Sequence, residues 1–182
     1  MVADISMKLN AQQLRKSKVG ESKKKQQLIK RYPIVLALDN VLDTYNIGSF
    51  FRLADAISAQ KVCLCGPVVT PPNIKIHRAS IGTWKWTNWQ HYPSTQDCLD
   101  QLKKEGYQLV ACELNKNSQP YNKIKYKFPL AIIAGNESNG LSSTILKQVN
   151  HIAEIPMHGI NKSLNVLVAT SILAYQALSQ LN

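Results

Sequence analysis

Near its C-terminus the chain reads Ile155-Pro156-Met157-His158-Gly159-Ile160-Asn161-Lys162-Ser163-Leu164-Asn165-Val166. A strand-like run, 152–155, leads into this stretch, and an apolar, helix-forming run follows it. Pro156 cannot continue a strand ladder, and Gly159 permits backbone angles that other residues avoid. Ser163 and Asn165 are favoured at helix N-termini, where unpaired amides and a partial positive charge are exposed. The stretch predicts a strand, a loop with a defined conformation and a capped helix. The polar residues at the start of this helix are either an ordinary cap or part of a binding site.

The rest of the chain alternates strand-like and helix-like segments. Runs 34–38 and 130–134 are continuously apolar, as expected for strands buried on both faces of a parallel sheet. Further strands are predicted at 62–65, 84–92, 109–112 and 152–155. Helices are predicted at 46–59, 95–105, 142–149 and 163–181, and loops at 71–82 and 115–127. This order predicts an α/β domain with a mainly parallel sheet and helices on both faces.

Positive charge is concentrated at the N-terminus. The 182 residues carry a formal net charge of +11, and residues 1–31 hold nine basic and two acidic residues, or +7, which leaves +4 for the remainder. We interpret residues 1–31 as a basic, helical N-terminal arm and residues 32–182 as one globular domain. Such an arm favours a polyanion as partner, with nucleic acid first, while a solubilising or targeting tail is the alternative.

The composition argues against several other classes of protein. No apolar run is long enough to span a membrane, and the first residues lack a signal-peptide core. Cys63, Cys65, Cys98 and Cys112 form no C-x-x-C pair, so we expect reduced thiols in a cytoplasmic protein. Cys-x-Cys without a second pair is not the spacing of a zinc site, and no metal is expected.

Two more polar clusters stand at the ends of predicted strands, where ligands bind in parallel sheets. The first cluster holds Asn46, Gly48 and Arg52. Gly48 lowers helix stability, so the close approach of another group is a reason for it. Arg52 is interpreted either as a site residue or as the partner of a surface salt bridge with Asp43 or Asp55.

The second cluster is Gly135-Asn136-Glu137-Ser138-Asn139-Gly140, directly after run 130–134. It matches neither the dinucleotide fingerprint nor the P-loop pattern and lacks a phosphate-binding lysine. Because Glu137 would repel a phosphate, the loop favours a ligand that has no phosphate and carries positive charge. A simple turn between strand and helix is the alternative.

The three clusters together resemble the SpoU (TrmH-type) branch of the SPOUT superfamily of RNA 2′-O-methyltransferases. The form N-x-G-x-x-x-R is matched by Asn46, Gly48 and Arg52, and the form G-N-E-x-x-G begins at Gly135. The form I-P-M-x-G-x-x-x-S-L-N-V is matched at every defined position of the stretch quoted first. The order and spacing also fit, and the resemblance covers about residues 33–182.

The resemblance implies a C-terminal trefoil knot, S-adenosylmethionine as cofactor and a homodimer with the active site at the subunit boundary. It implies a cofactor pocket formed by strand-end loops, with these residues: Leu114, Ala134, Gly135, Asn136, Gly140, Ile155, Pro156, Met157, Gly159, Ser163 and Leu164. It implies a catalytic set consisting of Asn46, Arg52, Glu137, Ser163 and Asn165. RNA contacts are expected at Lys23, Lys24, Lys25, Arg31 and Arg78.

The implied reaction methylates a ribose 2′-hydroxyl of tRNA or rRNA, with tRNA favoured. Arg52 acts either as the general base or, because guanidinium normally stays protonated, as a cationic clamp on phosphate and alkoxide. Trp84, Trp86 and Trp89 fall in one predicted strand and serve either base stacking or core and dimer packing. A catalytically silent RNA-binding or assembly factor is the alternative function. A dinucleotide-dependent oxidoreductase is disfavoured because the glycine-rich fingerprint is missing.

Overall fold

The computed structural model of the chain is built around one parallel sheet. It describes Lys8, Asn10, Gln13 and residues 30–181, so the predicted helical arm, with Lys23, Lys24 and Lys25, lies almost entirely outside the described residues. The strands are β1 Tyr32–Asp39, β2 Ala59–Cys65, β3 Trp89–Tyr92, β4 Gln108–Cys112, β5 Gln119–Pro120, β6 Leu130–Ala134 and β7 His151–Glu154. The α-helices of the described residues are α1 Thr44–Ala56, α2 Ile74–Ser80, α3 Thr95–Lys104, α4 Ser143–Leu146 and α5 Val166–Leu178.

The two continuously apolar runs form the centre of the sheet. The strand order is β3-β2-β1-β6-β4-β7-β5, and every strand pair in it is parallel. β1 and β6 pair from Ile34 opposite Leu130 to Leu38 opposite Ala134, and all five residues of β6 are buried. Because both faces of these strands are covered, polar residues are excluded until the strands end, which brings the polar clusters to one edge.

Helices cover both faces of the sheet, as predicted. Ile34, Leu36 and Leu38 point into a core that also contains side chains of α1 and α5. Val35 and Ala37 point into a second core with side chains of α3 and α4. The predicted α/β class and mainly parallel sheet are therefore confirmed.

The predicted strand at 84–92 is too long. Residues 83–85 form a 3-10 helix, and only Trp89–Tyr92 is a strand. The indole of Trp86 is buried and donates a hydrogen bond of 2.8 Å to the Asp55 carboxylate. The indole of Trp84 donates to His77 Nδ1 at 3.2 Å. Each indole N–H thus has a partner inside the fold, and these contacts agree with packing rather than base stacking.

The segment predicted as a loop at 71–82 contains α2. Asn73 caps this helix through its side-chain oxygen, which accepts from the amides of Lys75 and Ile76. The helix ends at Ser80, and its C-cap Ile81 has φ of 55° and is followed by Gly82 at 85°. The loop predicted at 115–127 likewise contains β5 and a 3-10 helix at 121–123.

Two predicted helices are shorter in the structure. The helix expected at 142–149 is the single turn α4, and the last helix begins at Val166 rather than at Ser163. All four cysteines are free, and Cys63, Cys65 and Cys98 are buried. No helix within the described residues is long and apolar enough to cross a membrane. Across residues 30–181, no three His, Cys, Asp or Glu side chains are grouped so that they could hold a metal ion.

Candidate active site

A cavity of about 520 Å³ opens at the carboxyl ends of β4, β6 and β7. The loops that follow these three strands form its walls, as expected for a ligand site in a parallel sheet. Its lining includes eight of the residues predicted to bind the cofactor: Leu114, Gly135, Asn136, Gly140, Ile155, Met157, Ser163 and Leu164. The clusters at 135–140 and 155–166, which are separate in the sequence, therefore meet at one pocket.

The loop after β6 is held in shape by Asn136. Its amide nitrogen donates to the carbonyl oxygen of Asn40 at 2.8 Å, and its amide oxygen accepts from the backbone amides of Ser138 and Asn139, both at 3.0 Å. Gly140 has φ of 62°, a backbone conformation that favours glycine. Asn136 thus shapes the wall of the pocket through its polar side-chain atoms.

Glu113 braces the same loop from β4. Its carboxylate accepts from the backbone amides of Leu114 at 3.0 Å and Leu141 at 2.9 Å. A Cβ atom at Gly140 would collide with this carboxylate. The sequence prediction missed Glu113, although an acidic residue directly after a buried strand was a signal that could have found it.

A chain of hydrogen bonds joins the three motifs through Glu137, Asn46 and Asn165. Asn46 Nδ2 donates to Glu137 Oε1 at 3.0 Å, and Asn165 Nδ2 donates to Asn46 Oδ1 at 3.2 Å. The Glu137 carboxylate also accepts from the backbone amides of Leu42 and Asp43, both at 3.3 Å. Three of the five predicted catalytic residues are thus directly connected.

The surroundings of Glu137 favour its ionised form. Partial burial raises the pKa of this carboxyl, but the hydrogen bonds from Asn46 and from backbone amides outweigh it, and the net pKa lies below the usual value. Two of those amides, of Leu42 and Asp43, lie just before α1. Glu137 therefore binds the start of α1.

Asn165 has two functions in the structure. Its side-chain oxygen accepts from the amides of Leu167 at 2.9 Å and Val168 at 3.3 Å, which makes it the N-cap of α5. Its side-chain nitrogen is thereby aimed at Asn46. The cap fixes the amide group, and the fixed amide can orient Asn46.

Arg52 is exposed, and its guanidinium has no partner within the described residues. The salt bridges considered for it are not formed. The Asp55 carboxylate accepts from Trp86, and Asp43 accepts from the backbone amide of Tyr45. Burial raises the pKa of Asp55, while Trp86 and Arg31 oppose this change. Arg52 is thus available to a ligand.

Gly48 explains why α1 and α2 lie close together. A Cβ atom there would come within 2.6 Å of Ala79 Cβ and 2.8 Å of the carbonyl oxygen of Ile76. The expected close approach at Gly48 is therefore confirmed, and the approaching group is the helix α2. This contact fixes the position of α2 beside the helix that carries Asn46 and Arg52.

Five of the residues predicted to bind the cofactor or to act in catalysis lie outside the lining of the cavity: Ala134, Pro156, Gly159, Asn46 and Arg52. Ala134 is fully buried in β6. Arg78 is exposed on α2. Arg31 is half-buried and donates to the carbonyl oxygens of Ala59 and Trp86 at 3.5 Å. Its predicted RNA contact stays a prediction, although its guanidinium is already engaged in the fold.

The cavity is acidic. Among the described residues, three carboxylates, Glu113, Glu137 and Glu154, line it together with a single cation, Lys162. Burial raises the pKa of Cys112 to about 12, so this lining thiol adds no charge near neutral pH. A net negative lining repels phosphate and suits a cationic ligand, which agrees with the expectation from Glu137.

The comparisons with known proteins decide the family. The profile of the SpoU rRNA Methylase family matches residues 33–175. The chain belongs to the SpoU family. A tRNA (guanosine(18)-2′-O)-methyltransferase of Aquifex aeolicus is 30% identical over 148 residues, which cover 81% of this chain and 69% of that protein. The predicted family is confirmed.

Solved structures agree with this assignment. An AdoMet-bound rRNA methyltransferase of Sinorhizobium meliloti is 29% identical, with a TM-score of 0.78 over 86% of this chain. The SpoU-family chain spans 60% of the length of that structure. The A. aeolicus TrmH/SpoU tRNA modifying enzyme is 28% identical with a TM-score of 0.79, covering 89% of this chain and 83% of that one.

Proposed function

We propose that this SpoU-family chain is an S-adenosylmethionine-dependent RNA 2′-O-ribose methyltransferase with tRNA as its preferred substrate. The observation that carries the proposal is the hydrogen-bonded chain Glu137–Asn46–Asn165 beside an acidic pocket at the strand ends. The relative from A. aeolicus is named for 2′-O-methylation of a tRNA guanosine. The S. meliloti structure is described as AdoMet-bound.

The pocket fits this cofactor by its chemistry. S-Adenosylmethionine carries a positive sulfonium and no phosphate, which matches a lining of three carboxylates and one lysine. We assign its binding to the loops around Gly135, Gly140, Ile155 and Leu164, with Leu114 and Met157 as apolar contacts. The bound cofactor supplies the methyl group.

The residues of the chain bind and orient the ribose. Its 2′-hydroxyl is a poor nucleophile near neutral pH and must lose its proton, which passes to solvent water, as it attacks. Arg52 is exposed and without a partner among the described residues, so as a cation it can hold the adjacent phosphate and stabilise the developing alkoxide. We assign it this role in preference to general base, because guanidinium stays protonated. Asn46, oriented by Glu137 and Asn165, and Ser163 position the ribose.

We also propose that the chain forms a homodimer through α5. This helix is apolar around much of its circumference, and Val168 and Tyr175, two turns apart on one side, are 45% and 52% exposed. Leu164, 37% exposed, precedes them. An exposed apolar face beside the site favours the predicted subunit boundary.

We further propose the C-terminal trefoil knot expected for the family. The segment after β7 lies against the loops after β4 and β6 at the pocket, and α5 then returns to the face of the sheet that α1 covers. The division into a basic arm, residues 1–31, and a methyltransferase domain, residues 32–182, is retained as part of the proposal. Four free cysteines favour the reducing cytoplasm as its location.

Methyl transfer from labelled S-adenosylmethionine to unmodified bulk tRNA and rRNA tests the function. We expect 2′-O-methylated nucleosides in digested tRNA. Calorimetry with S-adenosylmethionine separates the alternative, because a catalytically silent RNA-binding factor would bind RNA and no cofactor. Binding of the cofactor without transfer to either RNA would contradict the proposed substrates.

Asn165 allows a sharper test with a matched control. Asn165→Asp keeps the oxygen that caps α5 and loses the nitrogen that donates to Asn46, whereas Asn165→Ala loses both. We expect both variants to lose about 100-fold in kcat, because misplaced groups are costly. Only the alanine variant loses the cap, about 1 kcal/mol. Full activity in both variants would remove Asn165 from the proposed site.

A further inference from the structure

One side of α1 faces solvent and ends at the active site. Tyr45, Ser49, Arg52 and Ala56 follow one another at spacings of four and three residues, so they form one stripe on the helix. Tyr45, Arg52 and Ala56 are exposed, and Ser49 is partly exposed. The opposite side of α1 is buried in the core. The stripe therefore joins an aromatic ring and a cation on a single surface.

Tyr45 stands directly beside the proposed catalytic residues. It precedes Asn46 in the chain, and the residue is 56% exposed. Its backbone amide donates to the Asp43 carboxylate at 2.8 Å, which fixes the first turn of the helix under the ring. An exposed aromatic residue on a fixed backbone offers a flat apolar face at low cost in conformational entropy.

The charges around the stripe are mostly positive. α2 packs against α1 at Gly48 and carries two exposed cations, Lys75 and Arg78. Asp55 is the only acidic residue in the two helices, and its carboxylate is turned to Trp86. The surface formed by α1 and α2 thus offers three cations, and the Asp43 carboxylate at its edge accepts from the Tyr45 amide, so the excess of positive charge suits a polyanion.

The exposed cations Arg52, Lys75 and Arg78 favour a nucleic acid strand as the ligand of this surface. Tyr45 and Arg52 are seven residues apart, or about 10.5 Å along the helix, which is roughly three steps of stacked bases. A ring and a cation at this separation can hold a base and a backbone phosphate of one strand.

Resting on the proposed function, we propose that Tyr45 is a substrate-binding residue that stacks on a nucleobase next to the methylated ribose, on the same strand that Arg52 holds by its phosphate. Stacking is tolerant of base identity, so Tyr45 contributes affinity and placement rather than sequence recognition. Together with Arg52, it gives the strand a defined direction across α1.

The test compares Tyr45→Phe with Tyr45→Leu in the full chain, using tRNA from a strain that lacks this enzyme. Tyr45→Leu removes the aromatic face, and the KM for tRNA should rise roughly five- to 100-fold with little change in kcat. Tyr45→Phe should stay within about twofold of the wild type. Binding of S-adenosylhomocysteine, measured by calorimetry, should be unchanged in both variants. Tyr45 should also be nitrated by tetranitromethane in the free protein and be protected by tRNA.

The outcomes separate this inference from the proposed function. If the wild-type protein transfers no methyl group to RNA, the proposed function fails first. If the wild type is active and Tyr45→Leu has an unchanged KM for tRNA, the stacking is disproved. An equal rise of the KM for tRNA in Tyr45→Phe would show that the hydroxyl binds the substrate and would disprove stacking. A monomeric Tyr45→Leu protein in sedimentation would assign the ring to contact with a second copy instead.

Discussion

The two sides of α1 differ in whether their polar side chains have hydrogen-bond partners within the chain. On one side, Asn46 is buried and bonded to both Glu137 and Asn165. On the other, Tyr45 and Arg52 are exposed, and the guanidinium meets no partner within the described residues. The first side is organised before any ligand arrives, and the second offers its groups to one. A site that positions and also clamps a substrate needs both conditions.

The largest expected effect comes from the exposed side. Arg52→Ala should lower kcat by about 100- to 1,000-fold, the range for loss of one group that stabilises a developing anion. The melting temperature and the Kd for S-adenosylhomocysteine should stay at wild-type values, because Arg52 is exposed and its guanidinium has no hydrogen-bond partner within the described fold. An Arg52→Lys variant with full activity would contradict bidentate phosphate binding. Loss of cofactor binding in Arg52→Ala would show that the exposed side of α1 is coupled to the cofactor pocket.

Glu137, on the connected side, should respond to substitution with a smaller loss of activity and a clear loss of stability. In Glu137→Gln, one carboxylate oxygen and the negative charge are lost, so the side chain cannot accept all three hydrogen bonds. We expect roughly a tenfold fall in kcat together with a lower melting temperature. Activity and stability are measured on the same preparation. A change in activity with an unchanged melting temperature would show that Glu137 does not secure the start of α1.

The pKa of Glu137 adds a prediction about pH. Its pKa is lowered in the folded state. A carboxyl with a depressed pKa stabilises the fold above its usual pKa, and this contribution is lost as pH falls through the depressed value. The difference in melting temperature between wild type and Glu137→Gln should therefore be constant near neutral pH and shrink in acid. A difference that grows as pH falls would contradict the assigned direction.

The smallest effect concerns the contact that places the two helices. At an exposed helical position, replacing glycine by alanine stabilises by about 1 kcal/mol. Gly48→Ala should instead destabilise, because the new methyl group meets Ala79 and the Ile76 carbonyl at 2.6 and 2.8 Å. Overpacking of about 1–3 kcal/mol corresponds to a loss of roughly 2–10 °C in melting temperature. A stabilised Gly48→Ala protein would show that α2 moves away easily.

The central sheet and the place of the pocket could be predicted because they depend on local patterns. Run 130–134 is apolar at every position, which is typical of a strand that is covered on both faces. The glycines and asparagines that follow mark where the strand ends. The same reasoning was wrong for segment 84–92, because its alternating aromatic and polar residues have the pattern of a strand although only Trp89–Tyr92 forms one. Trp86 is instead placed by its bond to Asp55, which lies 31 positions earlier.

The partners of the polar residues could not be predicted from local patterns. Glu137 lies 94 positions beyond Asp43, and nothing near it in the sequence indicates that it binds the beginning of α1. Arg31 belongs to a basic segment by composition, yet it is half-buried against Ala59 and Trp86. Long-range pairing decides these roles, and it becomes visible only when the elements are brought together.

The bonds from Leu42 and Asp43 to Glu137 also make two backbone protons into reporters of the cofactor loop. An amide proton exchanges with deuterium only when its hydrogen bond opens. These two protons sit on the segment before α1, while their acceptor sits on the loop after β6. Exchange at residues 42 and 43 should therefore slow when a ligand stiffens the loop. Cofactor binding could be followed by mass spectrometry at a peptide that lies outside the cavity.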